Sequence, residues 1–197
     1  MQKQKKTPKF IALFVGLVCL LTSVVAMATP PPIEIALAAV GEQASERRGA
    51  SWQLTRVDDG IRELCALPIS SPDDEVIFRG TSQTGDSLEL AACPEAEAPW
   101  GLLWTLIWST EPAKSLGAFK NDWGDETARF ELVDGEPAQC YGKQTRLCLD
   151  LKAKRIVTLE VEIQQKKWRL RSARQGDSVQ ISSDGTQIAR LQRGECF

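Results

Sequence analysis

The sequence predicts a mainly β chain: a single antiparallel β-sandwich or barrel-like domain with one or two short helices, preceded by an N-terminal signal or anchor helix. Three observations predict it. From Ala50 onward, apolar residues recur with a period of two, the spacing of a strand with one buried face. Asp-Gly pairs at Asp59-Gly60, Asp134-Gly135 and Asp184-Gly185 fall between those runs, where two-residue turns join antiparallel strands. The first 28 residues place Lys3, Lys5, Lys6 and Lys9 before an uncharged apolar run that begins at Phe10 and tapers to Ala26-Met27-Ala28, the layout of an export signal.

Residues 1–28 are read as that signal or as an uncleaved anchor. The run from Phe10 to Ala28 is 19 residues without a charge, close to the ~18 that reads as a spanning helix. Its densely apolar part ends at Leu21, which fits the ~7–15 residues of a signal core. Cleavage after Ala28 is expected, with a tether as the alternative. The lysines precede the apolar run, so either reading sends the rest of the chain out of the cytosol. The expected location is periplasmic, cell-surface or secreted. Cys19 follows Val18, where a lipoprotein signal needs a small residue, so lipid attachment is not expected. Asn121, the one asparagine, opens no N-x-[ST] acceptor, which favours a bacterial envelope.

Residues 29–48 read as a Pro-rich spacer with one short helix, and residues 49–197 as a β-rich, disulfide-containing domain. Thr29-Pro30-Pro31-Pro32 is stiff and extended. Ile33, Leu37, Val40 and Ala44 then share a helical face between Pro32 and Gly49. Charge is uneven: residues 29–137 carry a net −12 and residues 138–197 a net +6, as expected of one globule with acidic and basic faces.

The strands follow in order. Trp52 and Leu54 alternate before the first turn, and Ile61, Cys65 and Leu67 after it, with Glu63 breaking the pattern. Val76 and Phe78, then Leu88, Leu90 and Ala92, flank Gly85-Asp86. Gly101–Trp108 is apolar on both faces and reads as a central strand, with a buried helical turn as the alternative at that length. Thr110–Lys120, with Pro112 near its start, predicts a short helix capped by Thr110. Ala128, Phe130 and Leu132 run into Asp134-Gly135. Val157, Leu159, Val161 and Ile163 are the cleanest alternation, and Val179, Ile181 and Ile188 frame the last turn.

Five cysteines follow the signal: Cys65, Cys93, Cys140, Cys148 and Cys196. Export makes disulfides the default reading. Cys140 and Cys148 flank the turn residues Tyr141-Gly142-Lys143-Gln144, so a hairpin sets them opposite each other. Cys65 with Cys93 is the natural second bridge, although spacing alone does not select it. Cys196 is then a free thiol or a link to a second copy; alternatively it ties down the C-terminal strand.

Histidine is absent, which removes Ser-His-Asp and Cys-His catalysis and imidazole metal sites. G-x-S-x-G, S-x-x-K and phosphate-loop motifs are absent too. Carboxylates cluster at Asp58-Asp59, Asp73-Asp74-Glu75, Glu95 with Glu97, and Asp122, Asp125 and Glu126. They read as solvated loops rather than as a glycosidase pair. Asn121 and its acidic neighbours lack EF-hand spacing. No catalytic residue, metal or cofactor is assigned.

Trp52, Trp104, Trp108 and Trp168 read as core residues. Trp100 and Trp123, beside Pro99, Asp122 and Gly124, read as partly exposed. In Lys166–Arg171, a strand puts Lys167, Arg169 and Arg171 on one face and Trp168 and Leu170 on the other. Trp100, Trp123, Lys167, Arg169 and Arg171 are therefore the candidate recognition residues. The expectation is an exported, non-catalytic β-domain that binds a protein or cell-envelope component. It would touch membrane only through its N-terminal segment, bind no nucleic acid, and pair with a second copy, if at all, through Cys196. The alternative is a carbohydrate-binding or carbohydrate-cleaving module using exposed tryptophans and acidic loops.

Overall fold

The computed structural model describes residues 32–57, 63–71, 74–81, 84–119, 128–173 and 176–196. The N-terminal segment expected to be an export signal, the turn expected at Asp58-Asp59-Gly60, and Trp123 with its acidic neighbours lie outside them. Within them the chain forms β1 (Trp52–Arg56), β2 (Leu64–Ala66), β3 (Val76–Thr81), β4 (Ser87–Ala92), β5 (Arg129–Val133), β6 (Glu136–Tyr141), β7 (Arg146–Asp150), β8 (Arg155–Ile163), β9 (Lys166–Ser172), β10 (Ser178–Ser183) and β11 (Thr186–Arg193). All pairings are antiparallel. The strand order is β4-β3-β2-β1-β11-β10-β9-β8-β7-β6-β5, with β4 and β5 at the edges.

The fold is mainly β, as the alternation predicted, and the strands of the described residues form one open sheet. Alternation specifies only that one face of each strand is buried. Here side chains of the short helices join that face in the main core. One apolar cluster runs from Phe78 on β3 to Tyr141 on β6, taking in Leu37 of α1 (Ile33–Gly41) and Leu103, Trp104 and Trp108 from the segment between β4 and β5.

Helix α3 (Trp100–Ile107) corrects the central strand expected over Gly101–Trp108. Gly101 to Ile107 are all buried, and a helix that is apolar all round must be enclosed. A short, uniformly apolar run has no period with which to announce that choice. Trp108 packs edge-on against Trp52 at 5.9 Å and Phe78 at 6.1 Å between ring centroids. The carbonyls left over at the end of α3 are met from α2 (Ala44–Arg48): Arg47 Nε donates to Ile107 O at 2.8 Å, and Arg48 Nη1 donates to Trp108 O at 3.2 Å. Trp52 Nε1 in turn donates to Arg47 O at 3.0 Å. Beyond α3, α4 (Pro112–Ser115) has Glu111 at its N-cap and no side-chain cap, so the expected Thr110 cap does not form. Thr110 instead presents its carbonyl to Gly41, where any Cβ would collide with it.

Strand β2 is shifted in facing from its expectation. Leu64 and Ala66 are buried, Leu67 is exposed, and Cys65 lies on the opposite face. That facing serves a disulfide. Cys65 is bonded to Cys196, with Cα atoms 5.8 Å apart, so the expected Cys65–Cys93 bridge and the free or intermolecular Cys196 are both corrected. The reason is the closing of the meander. β11 lies beside β1, Trp52 pairs with both Arg193 and Ala66, and the tail after Arg193 therefore needs to cross only one strand to reach β2. Cys93 is the free cysteine among the described residues. Cys140 and Cys148 sit directly opposite each other on β6 and β7 and are bonded, with Cα atoms 4.0 Å apart.

The hairpin of β5 and β6 curls over the outer face of the sheet. Val133, Ala138, Cys140, Cys148 and Val157 form a second small core there. Val157 is the extra residue of a bulge between the Cys148 and Leu149 registers, a feature that bends a strand. Asp134, in the hairpin turn, reaches Arg171 on β9 at 2.9 Å. Arg155, whose side chain is 6% exposed, locks the same corner. It pairs with Glu136, lies 3.7 Å from Asp150, and donates to Ala173 O at 3.0 Å.

Two measurements check this architecture. Peptide mapping of the non-reduced protein should recover Cys65 linked to Cys196 and Cys140 linked to Cys148, with Cys93 alkylated after denaturation; a Cys65–Cys93 peptide would contradict the closing of the meander. Arg155→Ala should lower unfolding free energy by about 3 kcal/mol or more in denaturant titration, because it strands two partly buried carboxylates. A loss below ~1 kcal/mol would mean that the corner is solvated.

Candidate interaction surface

The basic strand of the sequence is β9, and its facing is as expected: Leu170 is buried, while Lys167 and Arg169 point out. The charges are not left open, however. Arg169 lies 3.2 Å from Glu160 and 3.9 Å from Asp134, and Arg171 is held by Asp134. Lys167 stands opposite Glu162 in the register of β8 and β9. A groove of about 920 Å³ runs here, lined by Lys143, Glu160, Glu162, Lys167, Trp168 and Arg169 among others. Arg171 is not part of its lining. Alternating acids and bases give this groove a mixed character.

The tryptophans are likewise engaged. Trp52, Trp104 and Trp108 are buried. Trp168 is half-buried against the main core. Trp100 is also half-buried against that core, with the Arg56 guanidinium 5.7 Å over its ring. The candidate recognition residues are thus not gathered in one place. Lys167 and Arg169 share the groove, Arg171 is drawn to the far turn, Trp100 sits at the start of α3, and Trp123 is outside the described residues.

A surface that the alternation did not announce lies on β5. This strand is an edge strand of the sheet, and Phe130 and Leu132 on it are 71% and 75% exposed. Their neighbours Glu131 and Val133 point to the other side, where Glu131 pairs with Arg146 and Val133 is buried. Alternation identified the strand, but the face carrying the larger apolar side chains is the open one. Asp134 and Gly135 both have positive φ, at 53° and 82°, the geometry of a tight two-residue hairpin turn. The flanking Val133–Glu136 pair closes that hairpin. Counting back along an antiparallel ladder, Val133, Glu131 and Arg129 turn their backbone groups toward β6, so Phe130 and Leu132 turn theirs toward the open edge. Side chains and main chain of the same two residues are therefore both presented.

No protein family, curated protein or solved structure matches this chain.

The support beneath the edge is polar, and the Oε1 of Gln139 in it is buried with no hydrogen-bond partner among the described residues. Gln139, the cross-strand partner of Phe130, is buried and donates from Nε2 to the Tyr141 hydroxyl at 2.6 Å. Tyr141 is pushed from 10.0 up to about 12, first by burial and then by the field of Glu34 on α1, against the Gln139 hydrogen bond, which lowers it. Arg47, at the α3 cap, is drawn down to about 10 by burial, with Glu46 opposing.

These shifts make a pH test. Between about pH 10 and 12 the unfolded chain releases the tyrosine proton that the folded chain retains, so the Tyr141 contribution is full below pH 10 and lost as pH rises through 12. Arg47 acts with the opposite sign above about pH 10, where the folded chain gives up its proton first. Tyr141 is the chain's single tyrosine, so phenolate absorbance reads it alone. The expected midpoint is near pH 12 in the folded protein and near 10 in denaturant, and Tyr141→Phe should remove the tyrosine part of the alkaline loss of stability. A folded midpoint near 10 would contradict the enclosure of Tyr141.

Proposed function

We propose that this chain is an exported, non-catalytic β-domain that binds a protein partner by strand addition at β5. One observation carries the reading: two large apolar side chains stand open on the outermost strand of an open sheet. Natural edge strands are normally blunted or covered, and an added strand would pair the main chain while covering Phe130 and Leu132. Burying each fully is worth roughly 1.5–3 kcal/mol. Export is supported by the N-terminal pattern and is compatible with the two disulfides. No described helix is long and apolar enough to cross a membrane. The carbohydrate alternative has less to stand on, since no tryptophan ring among the described residues is fully exposed.

The test is site-specific photo-crosslinking in the exporting cell. A benzophenone side chain at position 130 or 132 should give a discrete protein adduct, whereas one at exposed Leu67, away from the edge, should not. Absence of any adduct from both β5 positions would sink the strand-addition reading.

A further inference from the structure

We infer that the strand added to β5 is β5 of a second copy of this chain, in a two-fold dimer centred on Phe130; this rests on the strand-addition reading above. Two antiparallel copies of one strand can meet in only a few registers. The residues whose backbone groups face the open edge, Phe130 and Leu132, must pair with one another or with their own kind. Centring on Glu131 sets Glu131 against Glu131 of the second copy, and centring on Leu132 sets Glu131 against Val133 of the second copy. Centring on Phe130 stacks Phe130 on its own mate and places Ala128 opposite Leu132 of the second copy, twice. On the other face it sets Arg129 opposite Glu131 of the second copy, again twice by symmetry.

Only the last register is complementary on both faces. Its apolar side covers the two most exposed large hydrophobic residues among those described, and its charged side alternates in sign. Glu131 keeps Arg146 as its own-chain partner and gains a second cation, a shared arrangement that one carboxylate can accept. The contact is isologous, so it closes at two copies and does not propagate into a filament. Cys196, already bonded to Cys65, takes no part.

Sedimentation velocity on the full exported domain tests this across micromolar to millimolar concentrations, with circular dichroism to confirm folding. Wild type should shift from monomer to dimer. Phe130→Asp should remain monomeric throughout. Arg129→Glu presents two acids, and Glu131→Arg combined with Arg146→Glu presents two bases while preserving the internal pair. Each should weaken self-association by roughly tenfold or more, and an equimolar mixture should restore dimer as a heterodimer. That rescue cannot come from a misfolded variant. A wild type that stays monomeric, a dimer indifferent to Phe130→Asp, or a mixture without rescue overturns the two-fold pairing. If wild type is monomeric and the crosslink at position 130 joins a different polypeptide, the self-pairing falls while strand addition stands. If it is monomeric and nothing crosslinks, both fall.

Discussion

The C-terminal end of α3 is the junction on which the fold depends. An eight-residue helix with no polar face cannot exist in water unless it is enclosed, and its last carbonyls, once enclosed, must be met by something other than solvent. Arg47 and Arg48 meet them from a helix only five residues long. Trp52 Nε1 then binds the Arg47 carbonyl while its ring packs on Trp108. The neighbouring α2 and β1 are therefore fixed to α3, some 60 residues away in sequence, by a few groups, each satisfying another. Burial costs Arg47 part of its charge stabilisation, as its lowered pKa shows, and the alternative of orphaned buried carbonyls is also costly.

From that junction the sheet extends both ways. Every other strand pairing is between strands consecutive in sequence, but β1 with β11 joins the two ends of the domain. Its loop-closure entropy is correspondingly the largest in the sheet. The two faces of this seam are secured differently: Trp52 and Leu54 bury on one, and the Cys65–Cys196 bond crosses the other, spanning 131 residues of sequence. A cross-link over so long a loop restricts the unfolded chain by about 5 kcal/mol in the entropic account. By contrast, Cys140–Cys148 closes a hairpin that local sequence already favours. It serves chiefly to hold the β6–β7 pair rigid beneath the curled hairpin.

Strand positions and turns were legible in the sequence because alternation and Asp-Gly pairs are local signals. Val157 to Ile163 became β8, and Val76 with Phe78 became β3. The Cys140–Cys148 pairing was legible for the same reason, since a hairpin fixes its own register. What failed was non-local. Helix α3 has a single polar residue, Thr105, too little to mark a period, so strand and helix fit it equally well. The partner of Cys65 depended on β11 returning beside β1, which no spacing encodes. The basic face of β9 was identified correctly as a face, but Asp134, the acid that holds Arg171, lies 37 residues earlier on a hairpin whose fold-over cannot be read from sequence.

The exposure of Phe130 and Leu132 follows from that same fold-over. To bury Val133 and Ala138 over the Cys140–Cys148 pair, and to bring Asp134 to Arg171 and Glu136 to Arg155, the β5–β6 hairpin must bend toward the outer face. Bending it that way lifts the opposite face of β5 off the main core. The core reaches β6, where Gln139 and Tyr141 are buried, and touches Ala128 just before β5, leaving Phe130 and Leu132 exposed. A strand with apolar residues on both faces can satisfy only one of them against its own chain in this position. The smaller side chain, Val133, goes inward with the ion pairs, and the two larger ones are left at the edge. At the opposite edge β4 shows the contrast, with Leu88 and Leu90 packed against the main core. The two edges are thus not equivalent: helix packing covers one, and the geometry that completes the second core uncovers the other.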